Sequence, residues 1–392
     1  MRIAFARSDN SHVSKWWWEV DRWMFGTLLL LIAVGLLLTF AASPAVAERL
    51  NLSNFHFVKR QAVFLMMGLG VILFVSMLTK QWVRRIAVIL FPITLGLVYL
   101  TIFQGAEIKG ATRWLHLGSF ALQPSEFLKP VFVVCTAWMF SEQFNNPSFP
   151  GKKIAVGLYI LVIIGLLMQP DYGQSFLITA VFLGQLVLAG LPVLWLAGFA
   201  GLGVLGLVLA YSFVPHVANR INIFLDPASG DSYQIDTALN AFRAGGLFGR
   251  GPGEGEVKRV LPDAHADYIF AVAGEEFGAI LCLAIVALFA VIVIRGLAHL
   301  LEEENTFVVF AAGGLLALFG LQAFINLAVN LAVLPAKGMT LPFISYGGSS
   351  MLAVSLTMGM VMALTRKNRF LQSSFSRTRF PNRINGGLNH DQ

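Results

Sequence analysis

Charged residues are scarce in this sequence. Only 12% of its 392 residues are Asp, Glu, Lys or Arg, and 57% are hydrophobic. Soluble globular chains carry about 25% charged residues, so this chain has roughly half of the charge that a water-facing surface needs. This shortage excludes a soluble globular fold. The apolar residues instead recur in runs of about 20, the length that an α-helix needs to cross the hydrocarbon core of a bilayer.

Cysteine is rarer still, and histidine shows no metal-binding spacing. Cys135 and Cys282 both lie inside apolar runs, which predicts buried, inert thiols rather than a disulfide framework. The seven histidines are scattered, without a zinc-like spacing. The net charge of +7 does not indicate nucleic-acid binding, because the basic residues form short clusters between apolar runs.

The apolar runs predict an all-α, polytopic membrane bundle of about ten transmembrane helices. No polar linker divides the bundle, which we expect to occupy residues 23–365. Residues 1–22 precede it, residues 366–392 form a basic tail, and a long loop of residues 215–266 separates spans seven and eight. The predicted spans are 23–43, 60–79, 85–104, 124–141, 154–169, 174–191, 194–214, 267–296, 306–334 and 343–365.

Lysine and arginine cluster on the side of the bundle that holds both termini. Because short cytoplasmic segments are enriched in these residues, both termini are predicted to be cytoplasmic. The opposite side is not poor in cations, since it carries Lys109, Arg113, Arg243, Lys258 and Lys337 among others. A long loop can be translocated regardless of its charge. Cations on this side are also what a phosphate ligand in the outer leaflet would need, so both interpretations stay open.

Ionisable residues at membrane depth cost about 2.5–3.5 kcal/mol each and mark candidate functional sites. Glu126 and Lys129 stand three residues apart at the start of span four, so a helix places them on one face. They form either a structural ion pair or part of a polar site. Asp171 follows Pro170 between spans five and six, a pairing that is also typical of a simple turn.

The end of the long loop carries the carboxylate nearest to span eight. Asp267 is the last acidic residue before the apolar run begins, at or near a helix N-terminus. It could cap that helix. Partial desolvation at this boundary would instead favour a general base. Glu275 and Glu276 follow about 12 Å deeper and must face the bundle interior, for structure or for function.

The segment before span ten is rich in Pro, Gly and Ser. Residues 334–350 read LPAKGMTLPFISYGGSS. Small residues allow close helix packing, and Pro and Gly allow a broken helix start that lines a polar cavity. Ser345 lacks the Gly-x-Ser-x-Gly pattern of a nucleophile elbow. Four glycines between residues 249 and 255 predict a flexible loop rather than a dinucleotide site, because no βαβ pattern surrounds them.

Four of these segments, in this order, resemble the SEDS (shape, elongation, division and sporulation) family of membrane proteins. The resemblance covers essentially residues 20–367. Residues 109–114 (KGATRW) and 335–338 (PAKG) are more similar to the division branch of the family than to the elongation branch, and Lys337 is the main discriminator. The four segments are 123–129 (QPSEFLK), 169–171 (QPD), 265–276 (HADYIFAVAGEE) and 342–350 (PFISYGGSS).

The resemblance implies a peptidoglycan glycosyltransferase that polymerises lipid II at the outer face of the bacterial inner membrane, at the division septum. It implies that Asp267 is the essential catalytic residue. It also implies that the charged residues Lys109, Arg113, Glu126 and Lys129 line the cavity beneath it. The implied partners are lipid II, a class B penicillin-binding transpeptidase and further division proteins, within the lipid bilayer.

Lipid II polymerisation needs a base for the acceptor 4-hydroxyl and cations for the departing lipid diphosphate. We expect Asp267 to be that base, or to hold a divalent cation such as Mg²⁺ or Mn²⁺, with inversion at the donor anomeric carbon. Glu275 and Glu276 are predicted to be structural residues of the cavity. The residues predicted to bind substrate are Lys109, Arg113, Glu126, Lys129, Asp171, Arg243, Lys337 and Ser345.

Other classes of function stay open. Embedded Glu126, Lys129 and the Glu275–Glu276 pair would suit a lipid II flippase or ion-coupled carrier, although their charges gather toward one face rather than the midplane. A non-catalytic scaffold could use the basic tail and Trp16–Trp18 to recruit division proteins, but these residues also suit simple anchoring to anionic lipid. An elongation-branch polymerase is a further alternative within the family.

Overall fold

The computed structural model describes residues 11–53, 55–108, 111–118, 120–226, 233–335 and 338–366. Its helices are α1 (His12–Glu19), α2 (Arg22–Arg49), α3 (His56–Ser76), α4 (Lys80–Gln104), α5 (Pro124–Asn145), α6 (Gly151–Met168), α7 (Tyr172–Leu188), α8 (Val193–Phe213), α9 (Pro215–Leu225), α10 (Tyr233–Gly245), α11 (Val257–Val260), α12 (Ile269–Leu300), α13 (Thr306–Asn330) and α14 (Gly348–Leu364). Its strands are β1 (Ala106–Ile108), β2 (Ala111–Leu117) and β3 (Phe120–Leu122).

Each predicted span coincides with a helix, so the polytopic helical fold is confirmed. Among the described residues, six helices are long and apolar enough to cross a membrane on their own, namely α2, α3, α4, α6, α12 and α13. The ends of α8 and α9 meet at a bend of 106° and make a seventh if they count as one span. Helices α7 and α14 are apolar but shorter. The number ten stays a prediction.

Helix α13 lies at the centre of the bundle. In its most apolar window 72% of the residues are buried, against 28% in α4, α6 and α12. It packs on α5, α7, α12 and α14, while α3 packs along α14. Large apolar side chains of the outer helices, such as Phe74, Leu283 and Ile294, are exposed. Soluble proteins rarely expose so much apolar surface, so these side chains are expected to face the lipid around the bundle.

Ion pairs join the helix ends at one face of the bundle. There the indole of Trp16 donates to the hydroxyl of Ser76, and α1 lies against the end of α3. The first and last described segments meet at this face, so both lie on the same side of the bundle. The pairs are Asp21–Arg295 at 2.6 Å, Lys80–Glu303 at 3.3 Å and Arg366–Glu19 at 3.1 Å.

The opposite face carries structure that the sequence did not predict. Strands β1, β2 and β3 form a small antiparallel sheet between α4 and α5, with β2 in the middle. This sheet adds strands to a fold expected to be purely helical. The described residues of the 215–266 loop form three helices, α9, α10 and α11, so much of this part is regular structure.

Helix α12 is broken at Gly278, and residues 246–251 fill the break. Gly278 has φ 76°, and a Cβ there would lie 2.3 Å from the carbonyl oxygen of Leu247. The backbone groups freed by the break bond to the loop instead, so they keep partners within the protein. The four bonds are Arg250 N–H to Glu275 O, Gly251 N–H to Glu276 O, Ala279 N–H to Gly246 O and Ile280 N–H to Leu247 O, at 3.0–3.3 Å.

Close backbone packing holds α10 on α12. A Cβ at Gly245 would lie 1.9 Å from the carbonyl oxygen of Gly274, whereas a Cβ at Gly26 of α2 would meet nothing within 4 Å. We expect Gly245→Ala to lower the free energy of unfolding by about 1–3 kcal/mol, because α10 must move away from α12.

The matched control, Gly26→Ala, keeps or raises stability, because alanine favours an exposed helix position. Thermal unfolding of both variants in detergent checks the expectation. Equal melting temperatures for the two variants would show that α10 is not closely docked.

Candidate functional site

Asp267 lies half-buried in the turn that precedes α12. The helix begins at Ile269 and its N-cap is Tyr268, so Asp267 stands one residue before the cap. The alternative in which Asp267 caps the helix is therefore wrong. A Cβ at Gly338 would lie 3.1 Å from Oδ2 of Asp267, so glycine leaves room for the carboxylate there. Lys337, the preceding residue, lies outside the described residues, as does Lys109.

The segment before α14 holds the Asp267 turn from one side. Residues 338–347 are non-helical, and most of them are buried, as the Pro and Gly pattern predicted. The hydroxyl of Ser345 donates to the carbonyl of Ala266 at 2.6 Å and accepts the N–H of Leu341 at 2.8 Å. The N–H of Tyr346 donates to the carbonyl of His265 at 2.9 Å. Ser345 thus contacts the backbone beside Asp267, and its role in binding substrate stays a prediction.

Two asparagines of α13 hold the same turn from the other side. The side-chain amides of Asn326 and Asn330 donate to the carbonyl of Asp267 at 3.0 and 2.9 Å. Neither asparagine was predicted from the sequence. Two amides one helical turn apart in an otherwise apolar span would have indicated them, because polar groups at this depth need internal partners.

Glu126 and Lys129 lie in contact at the start of α5. Their side chains are 2.9 Å apart and almost fully buried. Gln174 donates to Glu126 at 2.7 Å, and the ammonium of Lys129 also donates to Gln322 at 3.0 Å. The shared helix face predicted from their spacing therefore brings them together as a neutralised pair within a polar cluster. Whether they bind substrate stays a prediction.

Arg113 reaches from β2 to the turn before α7. Its guanidinium lies 3.7 Å from the buried carboxylate of Asp171 and donates to the carbonyls of Gln169 and Pro170. Asp171 occupies the N-cap position of α7, as expected for a turn residue. About a third of the Arg113 side chain stays exposed. Arg243 is exposed in the last turn of α10.

Side chains of α13 connect the Lys129 cluster with the Asp267 turn. Gln322 accepts from Lys129 and donates to the carbonyl of Thr340 at 3.2 Å. One turn later, Asn326 donates to the carbonyl of Met339 at 2.5 Å as well as to Asp267. The Glu126–Lys129 pair and the Asp267 turn, which were predicted separately, are thus connected through α13. Arg113, on strand β2, and Asp171 form a separate predicted pair that the structure also brings together.

Glu275 and Glu276 are fully buried in the N-terminal part of α12. Glu275 accepts three backbone N–H groups from residues 256–258 at 2.7–2.9 Å, at the start of α11. Glu276 pairs with the ammonium of Lys258, which also donates to the carbonyl of Ala41 in α2 at 3.0 Å. These residues fix α11 to the bundle, and Lys258 is a buried partner rather than an outward cation.

His265 lies in an aromatic cluster beside Asp267. Its ring centroid is 4.5 Å from that of Phe57 and 5.3 Å from that of Tyr346. Burial lowers the pKa of His265 to about 4; Asp263 opposes this shift and Arg49 adds to it. The imidazole is therefore neutral near pH 7 and supplies no positive charge to the site.

The profile of the FtsW/RodA/SpoVE family, described as cell cycle proteins, matches residues 21–370 of the chain. The chain belongs to this family. The resemblance to SEDS proteins inferred from the motifs is thereby confirmed.

Curated relatives in the family match along most of their length. A "probable peptidoglycan glycosyltransferase FtsW" of Caulobacter vibrioides is 47% identical over 93% of this chain and 94% of its own. A protein of the same name from Legionella pneumophila is 32% identical over 89% of this chain and 92% of its own. These names favour the division branch that residues 109–114 and 335–338 indicated.

Two solved structures of the family share the fold. A chain from "Structural coordination of polymerization and crosslinking by a peptidoglycan synthase complex" superposes with a TM-score of 0.72, at 25% identity, over 88% of this chain and 97% of that one. The rod shape determining protein RodA of Thermus thermophilus gives 0.66, at 24% identity, over 89% and 97%. The second likeness concerns the fold alone.

The buried Lys258–Glu276 pair predicts a large loss of stability when one partner is removed. Lys258→Met leaves an unpaired carboxylate at the break in α12, so we expect the free energy of unfolding to fall by about 3–5 kcal/mol. Adding Glu276→Leu removes that charge and restores part of the loss. Thermal unfolding of the single and double variants measures the coupling.

The exposed pair Arg250–Glu256, on the same loop, is the matched control. Arg250→Met changes the free energy of unfolding by no more than about 1 kcal/mol, because water screens this pair. Strictly additive effects of Lys258→Met and Glu276→Leu would contradict the buried pairing.

The lowered pKa of His265 predicts a loss of stability in acid. The unfolded chain binds a proton at this residue below pH 6.5, but the folded chain does so only below about pH 4. The free energy of unfolding therefore loses this contribution as the pH falls from about 6.5 to about 4.

His265→Gln, which cannot be protonated, flattens the curve in that window. The exposed His116→Gln keeps the wild-type curve. Unfolding of the three proteins from pH 4 to 8 checks this. An unchanged slope in His265→Gln would contradict the assignment.

Proposed function

We propose that this chain is a peptidoglycan glycosyltransferase that polymerises lipid II into glycan strands for the septal wall of a dividing bacterium. Support comes from its family and from relatives named as probable peptidoglycan glycosyltransferases over almost the whole chain. The observation that carries the proposal is the Asp267 carboxylate, which is half-buried on the face of the bundle opposite the termini and lies against Gly338.

In the proposed reaction, Asp267 accepts the proton of the acceptor 4-hydroxyl. The freed oxygen attacks the anomeric carbon of the donor from the side opposite the diphosphate, so that configuration is inverted. The bond to the diphosphate breaks, and its electron pair leaves with the lipid diphosphate. A diphosphate is a good leaving group, so no second carboxyl is needed as an acid, in contrast to glycosidases.

Cations on the same face are proposed to bind the diphosphate. Arg113 suits this role, because its planar fork matches phosphate oxygens and part of its side chain is exposed. The buried carboxylate of Asp171, 3.7 Å away, would orient the guanidinium of Arg113. Lys109, Lys337 and Arg243 remain further candidates. The charge of Lys129 is already neutralised by Glu126, so this pair is proposed to shape the cavity rather than to carry the diphosphate.

A divalent cation would need ligands beyond Asp267. Among the residues that the structure describes, no group of three or more His, Cys, Asp or Glu side chains could hold a metal ion. The part of the chain that the structure describes therefore offers no closed Mg²⁺ or Mn²⁺ site made of such side chains, and the reaction above uses none. A loosely bound ion would take its remaining ligands from substrate diphosphate and water.

The proposed location is the bacterial inner membrane at the septum, with both termini in the cytoplasm. Lys and Arg near both termini and in the short loops on their side support this orientation. We also propose a class B penicillin-binding transpeptidase as partner. The similar chain from a complex described as coordinating polymerization and crosslinking supports this pairing.

Replacing the carboxylate tests the function directly. We expect Asp267→Asn to abolish glycan strand formation from purified lipid II, because the amide cannot accept the proton. The assay follows strand length on gels, with the full chain in liposomes, with and without the transpeptidase.

Asp263→Asn, in the same turn, is the matched control and keeps activity within about two-fold, because asparagine tolerates the left-handed φ of 50° at this position. Strand synthesis by a folded Asp267→Asn would sink the assignment. Lipid II translocation without polymer formation by the wild type would favour the flippase alternative.

A further inference from the structure

Asn326 and Asn330 of α13 are buried amides in an apolar helix. Each is about 1% exposed. They stand one turn apart, so they project from the same face. Their side-chain amides donate to carbonyls outside α13. One carbonyl lies in the turn that carries Asp267, and the other in the segment that contains Met339.

The carbonyl of Asp267 receives a hydrogen bond from each asparagine, at 3.0 and 2.9 Å. The side-chain oxygen of Asn330 also accepts the N–H of Ala271 at 3.2 Å, in the first turn of α12. Asn330 therefore holds both the peptide that follows Asp267 and the start of the helix beyond it. Together these contacts fix the position of the Asp267 α-carbon.

Asn326 also holds the opposite wall of the site. Its amide nitrogen donates to the carbonyl of Met339 at 2.5 Å, next to Gly338, which lies against the Asp267 carboxylate. The two amide hydrogens are thus divided between the turn that carries the carboxylate and the segment that bounds it. The side-chain amide of Asn330 in turn donates to the backbone and side-chain oxygens of Asn326, at 2.9 and 3.3 Å, and so stabilises the position of Asn326.

We propose that Asn326 and Asn330 are positioning residues for Asp267, setting where its carboxylate meets the acceptor hydroxyl. This inference rests on the function proposed above. Neither side chain need touch substrate, because both act through the Asp267 carbonyl and the Met339 carbonyl. A reacting group displaced by about 1 Å can cost about 100-fold in rate, so loss of these donors should lower the rate rather than substrate binding.

The test compares variants that remove the donors with one that keeps them. Asn326→Leu and Asn330→Leu keep the side-chain shape but donate nothing. Asn326→Gln keeps the donors on a longer side chain. The full chain is reconstituted in liposomes with the transpeptidase and given fluorescent lipid II, and kcat, KM and the number of lipid II sites per protein are measured.

We expect both leucine variants to lower kcat by about 10- to 100-fold, with KM and the number of sites close to the wild type. Asn326→Gln should recover part of kcat. If these asparagines only packed the core, the longer glutamine would be at least as harmful as leucine, and lost activity would follow lost binding sites.

Gln185→Met is the matched control. Gln185 is an equally buried amide that donates to the carbonyls of Val133 and Phe310, away from Asp267. It should lower melting temperature without lowering kcat per binding site. If a leucine variant does not fold, Asn326→Gln and the other leucine variant still decide the question.

The outcomes separate the two proposals. Wild-type kcat in a folded leucine variant overturns the positioning role, while an inactive Asp267→Asn beside it leaves the glycosyltransferase function intact. A wild type that makes no strands, or an active Asp267→Asn, overturns the proposed function itself. The positioning role is also overturned if, in both leucine variants, kcat falls by the same factor as the number of lipid II sites per protein.

Discussion

Hydrogen bonds donated by α13 to backbone carbonyls outside its own helix hold the outer end of the bundle together. A bilayer supplies no water, so non-helical backbone at depth persists only where the protein satisfies it. Gln322 and Asn326 serve the segment before α14, and Asn330 serves the turn before α12. Because α13 is also the most buried of the long apolar helices, the site is built on a central and closely packed element.

The sequence predicted those features that depend on local composition. Hydropathy located the helix of each predicted span, because an apolar run of sufficient length has few other folds in a membrane. The spacing of Glu126 and Lys129 predicted a shared face, and the structure joins their side chains. The Pro and Gly content of residues 334–350 predicted the non-helical segment. Asp267 was singled out by its place at the boundary and by family resemblance.

Features that depend on distant partners escaped prediction. The sheet forms by pairing the three short strands β1, β2 and β3, none of which has a marked alternation. Lys258 looked like an outward cation because its partner, Glu276, lies 18 residues away on another element. The asparagines were hidden by the strength of the apolar pattern around them. In each case the sequence showed the residue, and only the fold showed what it meets.

The break in α12 makes residues 246–251 part of the structure of that helix rather than an appendage to it. Four backbone bonds run between this short stretch and the helix, so pulling it away would leave the peptide groups at the break without partners. Segment and helix must therefore be assembled as one unit, although residues 252–268 separate them along the chain. Tags, cleavage sites or shortened linkers that a surface loop would accept are incompatible with this stretch. Its length is set by the geometry of the helix that it completes.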